Sequence, residues 1–92
     1  MSRRDAVIVQ VVEPRADGCV IRCLSGEVAD GTTFTTVLAP DGEALGVDLR
    51  VAEIRRFEGV KVPALDPGHT ARLRLTGTGH AELHPSCRLV GR

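Results

Sequence analysis

Residues 70–76 read TARLRLT, and this stretch decides the fold class. Apolar and charged side chains alternate along it, so that Leu73 and Leu75 share one side while Arg72 and Arg74 share the other. Successive side chains of a β-strand point to opposite faces, whereas an amphipathic helix repeats its apolar positions at a longer period. The stretch is therefore predicted to be a strand with one face in a core and the other in solvent.

The same period of two recurs along the chain, and no run shows the helical period. The other alternating runs are residues 6–12, 18–24, 32–39 and 45–55. In the third of them, Phe34, Thr36 and Leu38 are predicted to share the inward face. Each run thus predicts a strand that buries every second residue.

A change of parity interrupts the run at residues 45–55. Ile54 falls on the parity opposite to that of the preceding apolar residues, and such a slip predicts a β-bulge near Ala52 and Glu53. Val60 and Val62 are predicted to form a short strand, and residues 88–90 a last edge strand. Residues 80–84 fit either one helical turn or an irregular connection.

Glycine and proline dipeptides separate these runs at short intervals, as in Pro40-Asp41-Gly42 and Asp66-Pro67-Gly68. Six or seven short strands with such turns predict an all-β domain, a small antiparallel Greek-key-like β-barrel. We expect one domain over residues 1–92, in which residues 1–4 form a short tail. The residues expected in its core are Val7, Val9, Ile21, Phe34, Leu38, Ile54, Leu73 and Leu75.

Composition limits the function classes. Twelve basic residues balance twelve acidic ones, which argues against a strongly basic nucleic-acid arm. No apolar run approaches the length of a membrane span, and no signal-peptide pattern is expected at the start. Three cysteines, an odd number, are typical of a reducing compartment rather than a disulfide framework, so we expect a cytoplasmic protein.

Two of the cysteines lie in one predicted strand. Cys19 and Cys23 share a face but are about 13 Å apart, too far to bridge each other or to share a metal. They are predicted to be buried, unpaired and poorly reactive. Cys87, near Pro85, is expected to be the most accessible of the three thiols.

The weak candidates for a metal are His80, His84 and Cys87. In a helical turn the two histidines would share a face, whereas in a strand they would be about 13 Å apart and could not chelate. The preferred interpretation is a polar solvated loop, with no metal and no cofactor.

The arginines supply the candidate binding residues. If a functional surface exists, it is predicted to contain Arg72 and Arg74, with Arg55 and Arg56 close by. Arginine forks favour planar acceptors such as carboxylates and phosphates. The preferred alternative is a solvated sheet face on which arginines pair with the carboxylates of Asp48, Glu53 and Glu58.

No pattern for catalysis is found. A phosphate-binding loop needs a glycine-rich turn followed by Lys and Ser or Thr, and the only lysine, Lys61, stands between two valines. The three serines, Ser2, Ser25 and Ser86, lack the strained elbow that exposes a nucleophile. We therefore expect no nucleotide hydrolysis and no enzyme activity.

The order of turns and strands resembles domain 2 of elongation factor Tu, the β-barrel shared by translational GTPases. The matching text is Gly18-Cys19-Val20-Ile21, Ser25-Gly26, residues 28–34, residues 51–54, Leu65-Asp66-Pro67-Gly68, Leu73-Arg74-Leu75-Thr76-Gly77 and the tail from Leu83 to Val90. It departs from the family at Arg22-Cys23, where a Thr-Gly pair is usual, and at Ser86, where glycine is frequent. The family's nucleotide motifs lie in a GTPase domain that this sequence does not contain.

The resemblance implies a binding role. In elongation factor Tu the barrel helps to hold the aminoacyl end of tRNA, and in relatives it touches ribosomal RNA or other domains. No contact residue could be matched one by one, so none is carried over. We expect a non-catalytic binding module that presents a sheet face or loops to a protein or RNA partner. The alternatives are a small-ligand or metal-responsive module and a structural subunit of a larger assembly, and the oligomeric state stays open.

Overall fold

The computed structural model describes residues 6–56 and 59–92. The predicted tail at residues 1–4, together with Phe57 and Glu58, lies outside the described residues. The described residues contain eight strands and the short 3₁₀ helix His80–Glu82. The strands are β1 Val7–Arg15, β2 Gly18–Ser25, β3 Val28–Ala29, β4 Thr33–Leu38, β5 Ala44–Arg55, β6 Ala64–Leu65, β7 Thr70–Thr78 and β8 Arg88–Gly91.

Six of the strands form a closed antiparallel barrel in the order β1-β2-β7-β5-β4-β8. Among these six, β4, β5 and β7 are successive neighbours, and β8 returns to lie beside β4. That arrangement is a Greek key, so the predicted fold class is confirmed. Closure pairs every barrel strand on both sides, which leaves no long edge open for further strand pairing.

The two short strands form a separate pair. β3 pairs with β6 and contributes Val28 and Leu65 to the core. The short strand predicted at Val60 and Val62 is confirmed only as an isolated bridge between Lys61 and Arg55. The N–H of Arg56 donates to the carbonyl oxygen of Val60 at 2.8 Å and the N–H of Val62 to that of Ile54 at 3.0 Å, but Val60 is 57% exposed. The strand that pairs with β3 begins only after Pro63, which lacks the N–H that a paired strand donates.

Seven of the eight residues expected in the core are buried: Val7, Val9, Ile21, Phe34, Ile54, Leu73 and Leu75. Leu38 is the exception, since it is only half-buried while Val37 is 3% exposed. The cause is a register shift between Phe34 and Thr36, which appears in the pairing of β4 with both of its neighbours. One extra residue there inverts the parity of everything that follows.

The β-bulge predicted on β5 is confirmed. Pairing with β7 shifts register between Val51 and Glu53, so that both Val51 and Ile54 reach the core despite their opposite parity. A further shift on β1, between Val11 and Glu13, leaves Val12 half exposed to solvent. These irregularities increase local twist and curvature, which a barrel of only six strands requires.

Candidate functional site

The four arginines predicted as candidate binding residues lie together. Arg55 on β5 stands directly opposite Arg72 on β7, while Arg74 stands opposite Glu53. Arg56 follows Arg55 at the end of β5. Alternation along β5 and β7 sends the neighbouring apolar residues inward, so Arg55, Arg72 and Arg74 share the outer surface. Arg56 lies beyond the strand and lines the same surface.

Two depressions lie side by side on this surface. The first, of about 280 Å³, is lined by Glu13, Arg15, Val20, Arg55, Arg56, Thr70, Ala71 and Arg72. The second, of about 370 Å³, is lined by Asp17, Glu53, Arg55, Gly59, Arg72 and Arg74. Arg55 and Arg72 belong to both and therefore form the ridge between them. We call the charged residues of the two depressions the arginine face: Arg15, Arg55, Arg56, Arg72 and Arg74, with Glu13, Asp17 and Glu53.

The hairpin of β1 and β2 supplies the part of this face that the sequence did not reveal. Arg15 and Asp17 come from that hairpin, and Val20 of β2 pairs with both Glu13 and Arg72. The sequence did not indicate the contribution of Arg15 and Asp17, because strand pairing, rather than spacing along the chain, brings this hairpin beside β7. Five arginines and three carboxylates thus meet on one face of a chain whose charges balance overall.

Weak ion pairs hold several of these side chains. Arg72 Nη2 lies 3.8 Å from Asp17 Oδ1, and Arg15 Nη2 lies 3.0 Å from Glu13 Oε1. All four side chains are about half exposed, so each pair contributes at most about 1 kcal/mol to stability. Arg74 makes no ion pair with any residue that the structure describes.

Glu53 is the best-held carboxylate of the face. Its side chain is 16% exposed, and it accepts a hydrogen bond from Arg55 Nε while Lys61 Nζ lies 3.8 Å away. The hydrogen bond from Arg55 is the main reason that the pKa of Glu53 lies below its usual value. Arg55 also donates from Nη1 to the carbonyl oxygen of Gly59 at 2.8 Å, which orients its guanidinium.

The alternative interpretation, a solvated face on which arginines pair with carboxylates, is therefore confirmed only in part. Glu53 pairs with an arginine as that alternative expected, whereas Asp48 stands opposite Thr78 and is in no ion pair among the described residues. Glu58, the third expected partner, lies outside the described residues. Arg56 approaches His69 instead, with Nη2 3.4 Å from Nδ1 of the ring.

The weak metal candidates are not brought together. The 3₁₀ helix ends at Glu82, so His80 and His84 do not share a helical face. Nε2 of His80 lies 2.7 Å from the carbonyl oxygen of Arg15, and the backbone N–H of His84 donates to Cys87 Sγ at 3.4 Å. Within residues 6–56 and 59–92, no group of three His, Cys, Asp or Glu side chains could hold an ion.

All three cysteines are free and buried. Burial raises the pKa of Cys19 from its ordinary value of 9.0 to about 12, with a smaller contribution from Cys87, and burial also raises the pKa of Cys23. The expectation that Cys87 is accessible is wrong, because its residue is only 2% exposed. Cys87 has the same parity as Leu89 on the neighbouring strand β8, and that parity points into the barrel.

Comparison with known proteins identifies no relative: no family model, no curated protein and no solved structure matches the chain. No helix in the described part of the chain is long and apolar enough to cross a bilayer. The arginine face is therefore the feature from which a function can be argued.

Proposed function

We propose that this chain is a non-catalytic binding module whose arginine face takes a carboxylate-rich segment of a protein partner. The observation that carries the proposal is the pair Arg55 and Arg72, which stand directly opposite each other across β5 and β7. Like charges in that position repel and destabilise a sheet. An anion bound beside the ridge is attracted by both guanidinium groups and offsets that repulsion.

The spacing of the arginines suits two anionic groups. Arg72 and Arg74 are two residues apart on one strand, which places them about 6.6 Å apart on the same side of the sheet. The two depressions share Arg55 and Arg72. Nε and Nη1 of Arg55 already donate hydrogen bonds, so the two guanidinium forks offered to a planar acceptor in the second depression are those of Arg72 and Arg74. Val20 and Ala71 add apolar surface to the first depression, against which aliphatic parts of a partner pack.

The carboxylates on the face favour a protein partner over RNA. Glu13, Asp17 and Glu53 alternate with the arginines, and they repel the continuous line of phosphates that a nucleic acid presents. No aromatic side chain lines either depression within the described residues, so stacking platforms for unpaired bases are missing there. Mixed charge is instead typical of a protein interface with a polar rim.

The two other predicted functions have less support. A metal-responsive module needs His80, His84 and Cys87 to converge, whereas Cys87 is buried and the ring of His80 contacts the carbonyl oxygen of Arg15. A structural subunit that assembles by strand addition needs a long unpaired edge, whereas every strand of the barrel is paired on both sides.

We also propose that the barrel resembles domain 2 of elongation factor Tu, on the basis of the order of turns and strands in its sequence. It is supported by the turn glycines in the matched text, because Gly26, Gly31, Gly68 and Gly77 all have positive φ angles that other residues adopt only with strain. These positions concern the turns of the barrel. They carry no partner over to this chain.

The binding test compares two double variants of the whole chain. The change Arg72→Ser with Arg74→Ser removes two cations from the face, and Arg22→Ser with Arg50→Ser removes two exposed cations outside it. Binding of a fluorescent oligo-glutamate peptide is measured by anisotropy at several salt concentrations. We expect the first variant to lose affinity about tenfold or more, since each lost charge-assisted bond is worth about 1.5–3 kcal/mol.

The control variant should bind like the unmodified chain. Equal loss of affinity in both variants means that overall charge, rather than the face, attracts the peptide, and the proposal is then wrong. An oligouridylate that binds more tightly than the peptide at every salt concentration identifies RNA as the partner class instead.

The absence of catalysis is tested separately. Purified protein is incubated with GTP or ATP and Mg²⁺, and we expect no release of phosphate, because the sequence holds no phosphate-binding loop around Lys61. Turnover that a single substitution in this chain abolishes would contradict the non-catalytic assignment.

A further inference from the structure

A second groove lies on the opposite wall of the barrel from the arginine face. In the closed order of strands, β8 is separated from β7 by two strands in either direction. The groove has a volume of about 430 Å³, within the range of small-molecule sites. Its lining residues are Gln10, Leu38, Ala39, Pro40, Gly42, Ser86 and Arg88.

Strand pairing aligns three of these residues across the wall. Arg88 on β8 stands opposite Gln10 on β1 and opposite Leu38 on β4. The adjacent register positions, Val9, Leu89 and Val37, are all buried in the core. The row through Arg88 therefore projects outward as a unit and is held by rigid sheet.

The polar side chains of this groove are not engaged elsewhere. Within the described residues, the side chains of Gln10, Ser86 and Arg88 make no hydrogen bond, and Arg88 makes no ion pair. Leu38, Ala39 and Pro40 supply an apolar wall beside them. A few convergent polar groups against an apolar wall are the usual composition of a small-ligand site.

Ser86 has an unusual backbone for its residue type. It is the third residue of the turn His84-Pro85-Ser86-Cys87, which is closed by a hydrogen bond of 3.2 Å, and its φ is 75°. The turn Asp66-Pro67-Gly68-His69 has the same form and closes at 3.3 Å, but it places glycine at the left-handed position. Of these two turns, the one whose third residue lines a groove carries the left-handed strain.

We propose that this groove binds a small carboxylate, with the charged group on Arg88 and the alkyl part on Leu38 and Pro40. The guanidinium fork matches the plane of a carboxylate and donates two parallel hydrogen bonds to it. The Ser86 hydroxyl and the Gln10 amide are further donors on the same lining. Among the residues that the structure describes, Arg88 is the only charged one in the lining, so the groove suits one anionic group rather than a polyanion or a metal cation.

The experiment is a titration of ¹⁵N-labelled protein with hexanoate, followed by amide chemical shifts. We expect saturable shifts at Gln10, Leu38 and Arg88, and none with hexanamide, which has the same shape without the charge. Inorganic phosphate should bind more weakly, since it lacks an alkyl part. Shifts scattered over the whole surface, or equal binding of hexanamide, would overturn the proposal.

Variants locate the site. Arg88→Gln should weaken hexanoate binding about tenfold or more, and Ser86→Ala should weaken it about threefold to tenfold while leaving the strained backbone in place. Arg50→Gln, which removes an exposed arginine of β5 outside the groove, is the matched control and should change nothing. The spectrum of each unliganded variant reports whether it is folded, and unchanged binding by folded Arg88→Gln contradicts the proposal.

Two further titrations identify the source of the carboxylate. The tripeptide Ala-Leu-Val is added with a free or an amidated C-terminus. A free tripeptide that binds more tightly than hexanoate identifies the end of a polypeptide chain as the ligand. The reverse order identifies a small molecule. An amidated tripeptide that binds as well as the free one contradicts a carboxylate site of either kind.

Discussion

The two opposite walls of the barrel have similar buried side chains and different exposed side chains. On each wall a buried row of three residues lies next to an exposed row. The buried rows are Cys19, Leu73 and Ile54 beneath the arginine face, and Val9, Leu89 and Val37 beneath the groove. The exposed rows are Val20, Arg72 and Arg55 on one wall, and Gln10, Arg88 and Leu38 on the other.

This contrast separates what packing demands from what binding demands. Interior positions accept only apolar side chains of suitable volume, so both buried rows have the same character. Exposed positions have no such constraint, and one wall gathers several cations while the other holds a single cation beside apolar residues. The walls should therefore respond alike to changes inside the barrel and differently to changes outside it.

The largest effect is expected from truncation inside the barrel. Leu73→Ala and Leu89→Ala each remove the middle residue of a buried row, and both leucines are fully buried. Each change should lower the free energy of unfolding by about 2–5 kcal/mol, because a cavity remains. Urea denaturation measures both values. A loss below about 1 kcal/mol for only one of them would show that the two walls do not share one core.

Alkaline pH should distinguish the two buried rows, since only the row beneath the arginine face contains a thiol. The pKa of Cys19 is about 12 in the folded chain and near 9.0 when unfolded, so the unfolded state loses its proton first as pH rises. Stability should therefore fall between about pH 9 and 12, by up to about 1.4 kcal/mol per pH unit for this group.

Urea denaturation across that pH range tests whether stability falls as pH rises and which group causes the fall. Cys19→Ala should reduce the slope of unfolding free energy against pH, while the remaining slope comes in part from Cys23, whose pKa is also raised. Val9→Ala, in the opposite row, should lower stability without changing the slope. An unchanged slope in Cys19→Ala would place the titrating group elsewhere.

A smaller effect is expected at the two proline turns. Ser86→Gly should raise stability by up to about 1 kcal/mol, because relief of left-handed strain outweighs the greater freedom of glycine in the unfolded chain. Gly68→Ser is the matched reverse change, at a turn where a Cβ has open space but φ is 91°, and it should lower stability by a similar amount. Thermal melts that move in the same direction for both changes would contradict this account.

The smallest effect is expected on the ridge of the arginine face. Arg72→Thr removes repulsion with Arg55 and also removes the weak pair with Asp17. Removing the repulsion raises stability, whereas removing the ion pair lowers it. The free energy of unfolding should therefore change by about 0.5 kcal/mol or less. A destabilisation above about 1 kcal/mol would mean that the arginine supports the fold, which would weaken its assignment to binding.

The sequence was sufficient for the fold class and for the wall that contains β7. The alternation in β7 separates Leu73 from Arg72 without ambiguity, and the parity slip at Ile54 identifies the bulge on β5. The bulge on β4 was missed because it falls within a run of threonines, Thr35 and Thr36, which fit either face of a sheet equally well. The side of Leu38 was wrong for that reason.

Only part of the candidate site could be predicted from the sequence, namely the residues on or next to strands that the alternation had identified. Arg55, Arg56, Arg72 and Arg74 could be grouped because their strands were recognised as strands. Arg15 was not found, since its place on the face depends on the pairing of β2 with β7 across a long stretch of chain. The groove around Arg88 was not found either, because it requires the contact between β8 and both of its neighbours.

The pairing of the first strand with the last has a mechanical consequence. Val7 pairs with Gly91, and the pairs Ile8 with Val90 and Val9 with Leu89 follow inward from that end. A force that pulls Val7 and Gly91 apart therefore loads these pairs one after another, in the manner of a zipper, instead of shearing them all at once. Tension applied across these two strands should open the barrel at low force, whereas unfolding by heat or denaturant has to disrupt the whole shared core.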